Sequence, residues 1–190
     1  MFRVVVPARY ASTRLPGKVL LPIAGKTVLQ WVCERARASR AAEVVVATDD
    51  PRIAKAADRL GVGVVMTAAA HPSGTDRIAE AAFLKRWGDD DVVVNLQADE
   101  PLMPPALIDQ VSDLLGARTW AAIATLASPL TSVEELLDSS VVKVVADRDG
   151  RALYFSRAPI PWDRDGAPAG IASQRGFGGA RRHIGIYAYR

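Results

Sequence analysis

A short basic segment near the amino terminus has the first side chains whose type and spacing could do chemistry. Arg9, Arg14 and Lys18 lie within ten residues of one another, on a segment that begins at Pro7. Guanidinium and ammonium groups make charge-assisted hydrogen bonds, the strongest contacts that side chains offer to a phosphate chain. The glycine spacing fits neither the Walker A loop nor the dinucleotide-binding fingerprint. The segment therefore predicts either a triphosphate-binding loop of another type or a basic surface loop without a ligand.

Carboxylates follow two apolar runs later in the chain. Asp99 and Glu100 come after the run that ends at Leu96, and Asp49 comes after an earlier run. Mg²⁺ prefers oxygen ligands, and a carboxylate that faces a phosphate loop could join the ion to the phosphates. Asp99 is the first candidate, and Asp49 and Glu100 are weaker ones. The alternative for Asp99 is a turn or helix-capping role before Pro101.

Small residues lie where a helical pattern begins after the third apolar run. Ser73 and Gly74 would let a planar base approach the backbone, whose amides and carbonyls could recognise the edge of the base. The alternative is structural, because Ser73 can cap the helix and Asp76 can interact with the positive end of its dipole. The two roles are compatible, since capping uses the side chain and base recognition uses the backbone.

Alternating strand and helix patterns must position these residues. Apolar runs, several of them rich in β-branched residues, predict strands at 2–6, 43–48, 62–66, 91–96, 120–126, 141–146 and 152–155. Amphipathic spacing predicts helices at 27–39, 51–60, 75–87 and 104–115. The fold class that follows is α/β, a mostly parallel Rossmann-like sheet flanked by helices in three α/β/α layers. Ligands collect at the carboxyl ends of such strands, which is where the candidate residues lie.

Local signals mark several element ends. We expect the first strand to stop at Pro7, because proline lacks the amide hydrogen that a strand interior uses. Asp50 followed by Pro51 predicts a helix start, and Gly61 predicts the end of the same helix.

The composition excludes several classes of protein. The chain has 190 residues, of which 49% are hydrophobic and 24% charged, and its net charge is +3, which fits one globular domain. Its basic residues form no stripe interleaved with aromatics, so nucleic acid is not an expected partner. No apolar run approaches the about 20 residues of a membrane span, and no signal-peptide layout is present, so the expected location is the cytoplasm. The lone cysteine, Cys33, lies on the apolar face of a predicted helix and is expected to pack there.

The loop from Pro7 to Lys18 resembles the signature loop of the 3-deoxy-manno-octulosonate cytidylyltransferases. Further blocks similar to that family follow in the family's order at 46–49, 71–77, 97–101, 142–145, 152–162 and 182–187. One departure is Ala98, where the family usually has glycine. The extra methyl group narrows the backbone conformations open to the end of the fourth strand.

The resemblance implies an activity. Such enzymes transfer CMP from CTP to the anomeric hydroxyl of 3-deoxy-D-manno-octulosonate (Kdo), with release of pyrophosphate, for lipopolysaccharide synthesis. The implied partners are CTP and Kdo as small-molecule substrates and Mg²⁺ as the cofactor, and the implied assembly of the full-length protein is a homodimer.

The resemblance also implies roles for particular residues. The expected catalytic residues are Arg9, Arg14, Lys18 and Asp99, with Asp99 as the metal ligand. The expected nucleotide contacts are Pro7, Ala8, Arg9, Arg14, Lys18, Ser73, Gly74 and Arg77. Arg77 would reach toward phosphate or ribose, and Arg157 would bind the carboxylate of the sugar acid. Gln97, His183 and Tyr187 would bind its hydroxyl groups.

The resemblance further predicts how the chain is divided. We expect one nucleotidyltransferase domain, with a nucleotide-binding core at 1–150 and the start of a sugar-acid-binding and dimerisation part at 151–190. Family members continue past the position of Arg190, so the expectation is that a C-terminal part of the family is missing here. Two alternatives stay open: a cytidylyltransferase for another sugar acid such as a sialic acid, and a non-catalytic nucleotide-binding module.

Overall fold

The computed structural model describes residues 1–11 and 15–190, and the chain forms two compact units. The first unit consists of 1–124 together with 186–190, and the second of 125–185. The sequence-based division at residue 150 falls inside the second unit. Within the described ranges, no helix combines the length and apolar character that crossing a bilayer requires.

The first unit contains a sheet with helices between its strands. Its strands are β1 (Phe2–Ala8), the short hairpin β2 (Pro22–Ile23) and β3 (Lys26–Thr27), β4 (Glu43–Thr48), β5 (Gly63–Met66) and β6 (Val92–Asn95). Its helices are α1 (Val28–Arg37), α2 (Pro51–Arg59), α3 (Gly74–Leu84) and α4 (Pro105–Gly116). The strand β7 (Ile123–Pro129) leads into the second unit, and the strand β10 (Arg181–Tyr189) returns from it.

The sheet of the first unit is mostly parallel, as the sequence predicted. The strand order is β5-β4-β1-β6-β10, and only the pairing of β10 with β6 is antiparallel among the described strands of this order. Val4, Val5 and Val6 are all fully buried although alternate residues of a strand point to opposite faces. Helices therefore cover both faces: Val5 packs in a cluster with Ile78 of α3, while α1 and α4 contact the strands and each other. The predicted three-layer α/β/α class is confirmed.

The helix ends follow the local signals. Asp50 caps α2 by accepting a hydrogen bond from the amide of Arg52, Pro51 is the first helical residue, and Gly61 adopts a positive φ of 65° after the last turn. Cys33 is buried in α1, as expected, and burial raises the pKa of its thiol to about 12.

The first strand is longer than predicted, because β1 continues through Pro7 to Ala8. Val5 accepts a hydrogen bond from the amide of Leu96, so Pro7, two residues on, faces the same neighbouring strand. The registered pairing with β6 ends at Val5 and Asn95, so the ladder does not need an amide hydrogen from Pro7.

The second unit contains antiparallel pairs. It holds α5 (Val133–Leu137), β8 (Lys143–Ala146) and β9 (Ala152–Ser156) together with most of β7 and the first part of β10. β8 pairs with β9 on one side and with β10 on the other. Leu130, Leu136, Val141 and Ala180 form its buried cluster. The short helix α5 and the β2–β3 hairpin were not predicted, because elements of so few residues show little periodicity.

The basic loop after β1 is closed at its base. The amide of Gly17 donates to the carbonyl of Tyr10 at 2.8 Å, and the guanidinium of Arg52 lies 3.3 Å from the centre of the Tyr10 ring. Asp50 holds that guanidinium by two hydrogen bonds, at 3.0 Å and 2.6 Å. The Tyr10 ring also lies against Gly17, where a Cβ atom would come within 2.8 Å of it. Tyr10 therefore fixes the spacing between the two ends of the loop.

This packing predicts that Gly17→Ala disturbs the loop. Calorimetry should show about a tenfold weaker affinity for CTP, the nucleotide that the family resemblance implies, because small displacements of the expected phosphate-binding groups are costly. Gly25→Ala is the matched control: Gly25 also has a positive φ, of 82°, but a Cβ atom there would meet nothing within 4 Å. Both variants should lose about 1–2 kcal/mol of unfolding free energy through backbone strain. Equal CTP affinities in the two variants would contradict a special role for the Gly17–Tyr10 contact.

Candidate active site

The ends of β1 and β6 surround two adjacent spaces in the first unit. One has a volume of about 140 Å³ and is lined by Pro7, Ala8, Arg9, His71, Pro72, Ser73, Gly74, Arg77 and Gln97. The other has about 160 Å³ and is lined by Pro7, Arg9, Lys18, Val19, Gln97, Ala98 and Asp99. They share Pro7, Arg9 and Gln97. The structure thus brings together Arg9 and Lys18 of the predicted phosphate residues, the predicted base residues Ser73 and Gly74, and the predicted metal residue Asp99.

Lys18 and Asp99 form an ion pair across the second of these spaces. Lys18 Nζ donates to Asp99 Oδ2 at 2.6 Å, although the two residues are 81 positions apart. The side chains are 38% and 51% exposed, so the pair contributes no more than about 1 kcal/mol to stability. Both charges can therefore exchange this contact for a ligand at little cost. Val19, next to Lys18, is buried and anchors the lysine backbone.

The donor set around Asp99 fits Mg²⁺ together with a triphosphate. Mg²⁺ commonly takes one or two carboxylates, substrate phosphate oxygens and water. Asp99 offers a half-exposed carboxylate opposite Lys18 and in the same space as Arg9. The described residues contain no group of three or more metal-ligating side chains, so the phosphates would have to complete the set.

The two weaker carboxylate candidates differ from Asp99 in their surroundings. Asp49 Oδ1 lies 2.9 Å from Arg77 Nη2 in a partly buried ion pair. The pKa of Glu100 is raised by loss of hydration and by the neighbouring charge of Asp99. Asp99 thus remains the carboxylate that faces the phosphate loop.

Ser73 has the helix-capping role that the sequence analysis gave as the structural alternative. Ser73 caps α3, because its hydroxyl accepts a hydrogen bond from the amide of Asp76 at 3.2 Å. Gly74 lies against the ring of Pro7, with room for a Cβ atom at 3.5 Å. Arg77 is only 4% exposed; its guanidinium donates a hydrogen bond to the hydroxyl of Thr67 and forms the ion pair with Asp49. Its predicted contact to phosphate or ribose stays a prediction.

The predicted sugar-acid residues are divided between the units. Gln97 and Tyr187 belong to the first unit, where Tyr187 stacks on Tyr189 with ring centres 6.0 Å apart. Arg157 and His183 belong to the second unit. Arg157 is exposed, and its Nη1 donates to main-chain carbonyls at 2.7 Å and 3.2 Å. Arg14, the remaining predicted residue, lies outside the described residues.

His183 has a partly buried ring on β10. Its Nε2 lies 2.9 Å from the hydroxyl of Thr125, and its ring meets that of Phe155 edge to face at 4.9 Å. Burial lowers the pKa of His183 below its usual value of 6.5. The neutral ring is therefore the form that the folded chain favours, and it can both donate and accept a hydrogen bond.

Sequence reasoning missed the residues that support the site. Tyr10, Arg52 and Asp50 shape the basic loop, but the sequence predicted only a helix start at Asp50 and no role for Tyr10 or Arg52. The only available signal was Tyr10 itself, an aromatic residue inside an otherwise small and basic segment.

A lowered histidine pKa predicts acid sensitivity. As pH falls, the unfolded chain takes up the proton before the folded chain does. The stabilisation from His183 is therefore complete above pH 6.5 and is lost as pH falls through the folded-state pKa. His183→Gln should flatten the fall in melting temperature between about pH 7 and pH 5. His71→Gln, which keeps His183, is the control, and identical pH profiles for the two variants would refute the assignment.

Comparisons with known proteins address the family of this chain. Residues 3–190 match the family described as cytidylyltransferase. A 3-deoxy-manno-octulosonate cytidylyltransferase of Thioalkalivibrio sulfidiphilus is 57% identical over 189 residues, which cover 100% of this chain and 75% of the relative. The protein of the same name from Cellvibrio japonicus is 54% identical, with 100% and 74% covered.

A solved structure has a closely similar fold. The structure of CMP:2-keto-3-deoxy-manno-octonic acid synthetase complexed with CTP matches with a TM-score of 0.86 at 41% identity. The match covers 100% of this chain and 74% of that chain. This chain thus spans about three quarters of the length of these relatives. It belongs to the cytidylyltransferase family, and within it to the 3-deoxy-manno-octulosonate cytidylyltransferases.

Proposed function

We propose that this chain transfers CMP from CTP to the anomeric hydroxyl of Kdo and releases pyrophosphate. The observation that carries the proposal is the Lys18–Asp99 pair, which sets a phosphate-binding charge against a metal-binding charge beside Arg9. The choice of Kdo as acceptor and CTP as nucleotide rests on the names of the relatives. The reaction forms a bond between the anomeric oxygen and the α-phosphorus and breaks the bond from that phosphorus to the pyrophosphate.

The basic residues would hold the triphosphate for this displacement. Arg9, Arg14 and Lys18 would bind phosphate oxygens, with Lys18 leaving Asp99 as the nucleotide enters. Asp99 would hold Mg²⁺ together with the phosphates, and the ion would supply positive charge at the attacked phosphorus. Catalysis would come from positioning and electrostatics, without a covalent enzyme intermediate.

Further residues of the chain would bind the base and the acceptor. The backbone at Ser73 and Gly74 would contact cytosine, in the space that Pro7 and Ala8 also line. Arg157 would bind the acceptor carboxylate, because a guanidinium edge matches a carboxylate by two parallel hydrogen bonds. Gln97, His183 and Tyr187 would bind acceptor hydroxyls.

The proposed assembly is a homodimer, which rests on the resemblance to the family. Light scattering of the purified chain measures the mass in solution. Twice the monomer mass supports the dimer, and the monomer mass contradicts it.

Asp99→Asn tests the metal position. The change keeps the size of the side chain but removes its charge, so CMP-Kdo formation should fall by more than about a hundredfold. Pyrophosphate release and chromatography of the sugar nucleotide measure the loss. Glu100→Gln removes the neighbouring charge and should retain activity. If Asp99→Asn retained full activity, the metal assignment would fail.

Lys18→Met tests the exchange of partners at Asp99. Without CTP, the variant should bind Mg²⁺ more tightly than the native chain, by up to about fivefold, because an exposed ion pair is worth at most about 1 kcal/mol. Its affinity for CTP should fall, because a phosphate contact is lost. The metal affinity is measured by Mn²⁺ binding followed by electron paramagnetic resonance, and the CTP affinity is measured by calorimetry. Lys26→Met, which removes the exposed pair with Glu34, is the control; unchanged affinities for both ligands in Lys18→Met would refute the exchange.

The acceptor is tested with a panel of sugar acids. Kdo and a sialic acid, each supplied with CTP and Mg²⁺, distinguish the proposed function from the nearest related one. If kcat/KM were higher with the sialic acid than with Kdo, the proposal that Kdo is the acceptor would be wrong.

A further inference from the structure

Lys143 is a buried lysine in the second unit. It is the first residue of β8, and it is 0% exposed. Its ammonium group donates to the main-chain carbonyls of Asp138 at 2.9 Å, Val141 at 2.8 Å and Arg157 at 2.7 Å. An ammonium group has three hydrogens, so these carbonyls satisfy it completely.

The same turn receives a second cation. Arg157 Nη1 donates to the carbonyls of Ser139 at 2.7 Å and Ser140 at 3.2 Å. The turn 138–141 thus lies between two positive groups, and each binds carbonyls that the other does not. Arg157 is held at both ends, since Lys143 binds its carbonyl and the turn binds its guanidinium.

Burial of the Lys143 ammonium group costs free energy, and filling space in the core would not require a charged side chain. Moving a charge out of water is unfavourable. The hydrogen-bond partners of the Lys143 ammonium group within the described residues are neutral carbonyls, which offset the loss of hydration only in part. Loss of hydration accordingly lowers the pKa of Lys143. An apolar side chain could fill the same volume, but it could not join the turn to the backbone of Arg157. The geometric link is what the lysine adds.

We propose that Lys143 is a positioning residue that sets the direction of the Arg157 guanidinium and so the affinity for the acceptor carboxylate. The inference rests on the proposed function, in which Arg157 binds that carboxylate. Both carbonyl bonds of the guanidinium are made by Nη1. The edge formed by Nε and Nη2 is therefore the edge that takes the two carboxylate oxygens.

Lys143→Met tests the link by removing the charge and the three hydrogen bonds while keeping a long apolar side chain. Calorimetry with Kdo should show about a tenfold weaker affinity, because the guanidinium is no longer held in the bound orientation. The affinity for CTP should be unchanged, since Arg9 and Lys18 belong to the other unit. Kdo affinity equal to that of the native chain would overturn the inference.

Asp138→Ala keeps the test available if Lys143→Met does not fold. The Asp138 carboxylate accepts from the amide of Ser140 at 2.7 Å and from its hydroxyl at 2.8 Å, so it shapes the turn from the solvent side. Its removal should weaken Kdo binding in the same direction. Glu135→Gln is the matched control: Glu135 bonds Thr131 and Arg182 in the same unit but not the turn. Equal losses in Asp138→Ala and Glu135→Gln would overturn the inference.

Two further measurements separate a positioning role from general damage. A Kdo analogue with a carboxamide in place of the carboxylate should bind the native chain and Lys143→Met equally, because the charge that Arg157 recognises is absent. An equal loss with the acid and the amide would show mere structural damage and overturn the inference. Arg157→Met is measured alongside: if it leaves Kdo affinity unchanged, the proposed role of Arg157 fails. If it weakens binding and Lys143→Met does not, only the positioning role fails.

Discussion

The pairing of β1 with β4 on one side and β6 on the other is the constraint on which the candidate site depends. Because these strands are parallel and in register, their carboxyl ends meet at one edge of the sheet. The loop after β1 brings Arg9 and Lys18 there, and the segment after β6 brings Asp99. The fully buried valines of β1 hold this strand in the core, where helices pack on both faces of the sheet.

Charged groups in this protein fall into two kinds by exposure. Lys18 and Asp99 are paired but well exposed, so their contact is weak and can be replaced by ligands. Arg77 and Lys143 are buried, and their hydrogen bonds join separate segments of the chain. A buried charge that loses its partners is costly, so these contacts persist. The exposed pair can therefore exchange its contact for ligands, whereas the buried cations hold neighbouring segments of the chain together.

Much of the fold could be predicted, because many of its determinants are local. The cap at Asp50, the proline at Pro51 and the positive φ at Gly61 each depend on a few neighbouring residues, and all three were expected correctly. The strand through Pro7 was predicted too short, because its tolerance of proline depends on where the pairing with β6 ends. The same limit applies to α5, whose five residues show too little periodicity to predict a helix.

The sequence by itself determined the α/β class, the family and the charged residues of the candidate site, because periodicity, caps and motif order are properties of neighbouring residues. Only the tertiary structure decided which of these residues meet. Lys18 reaches Asp99, Arg52 covers Tyr10, and Lys143 holds Arg157. Each of these contacts joins segments far apart along the chain. Their distances follow from strand register and core packing, and no local pattern in the sequence encodes them.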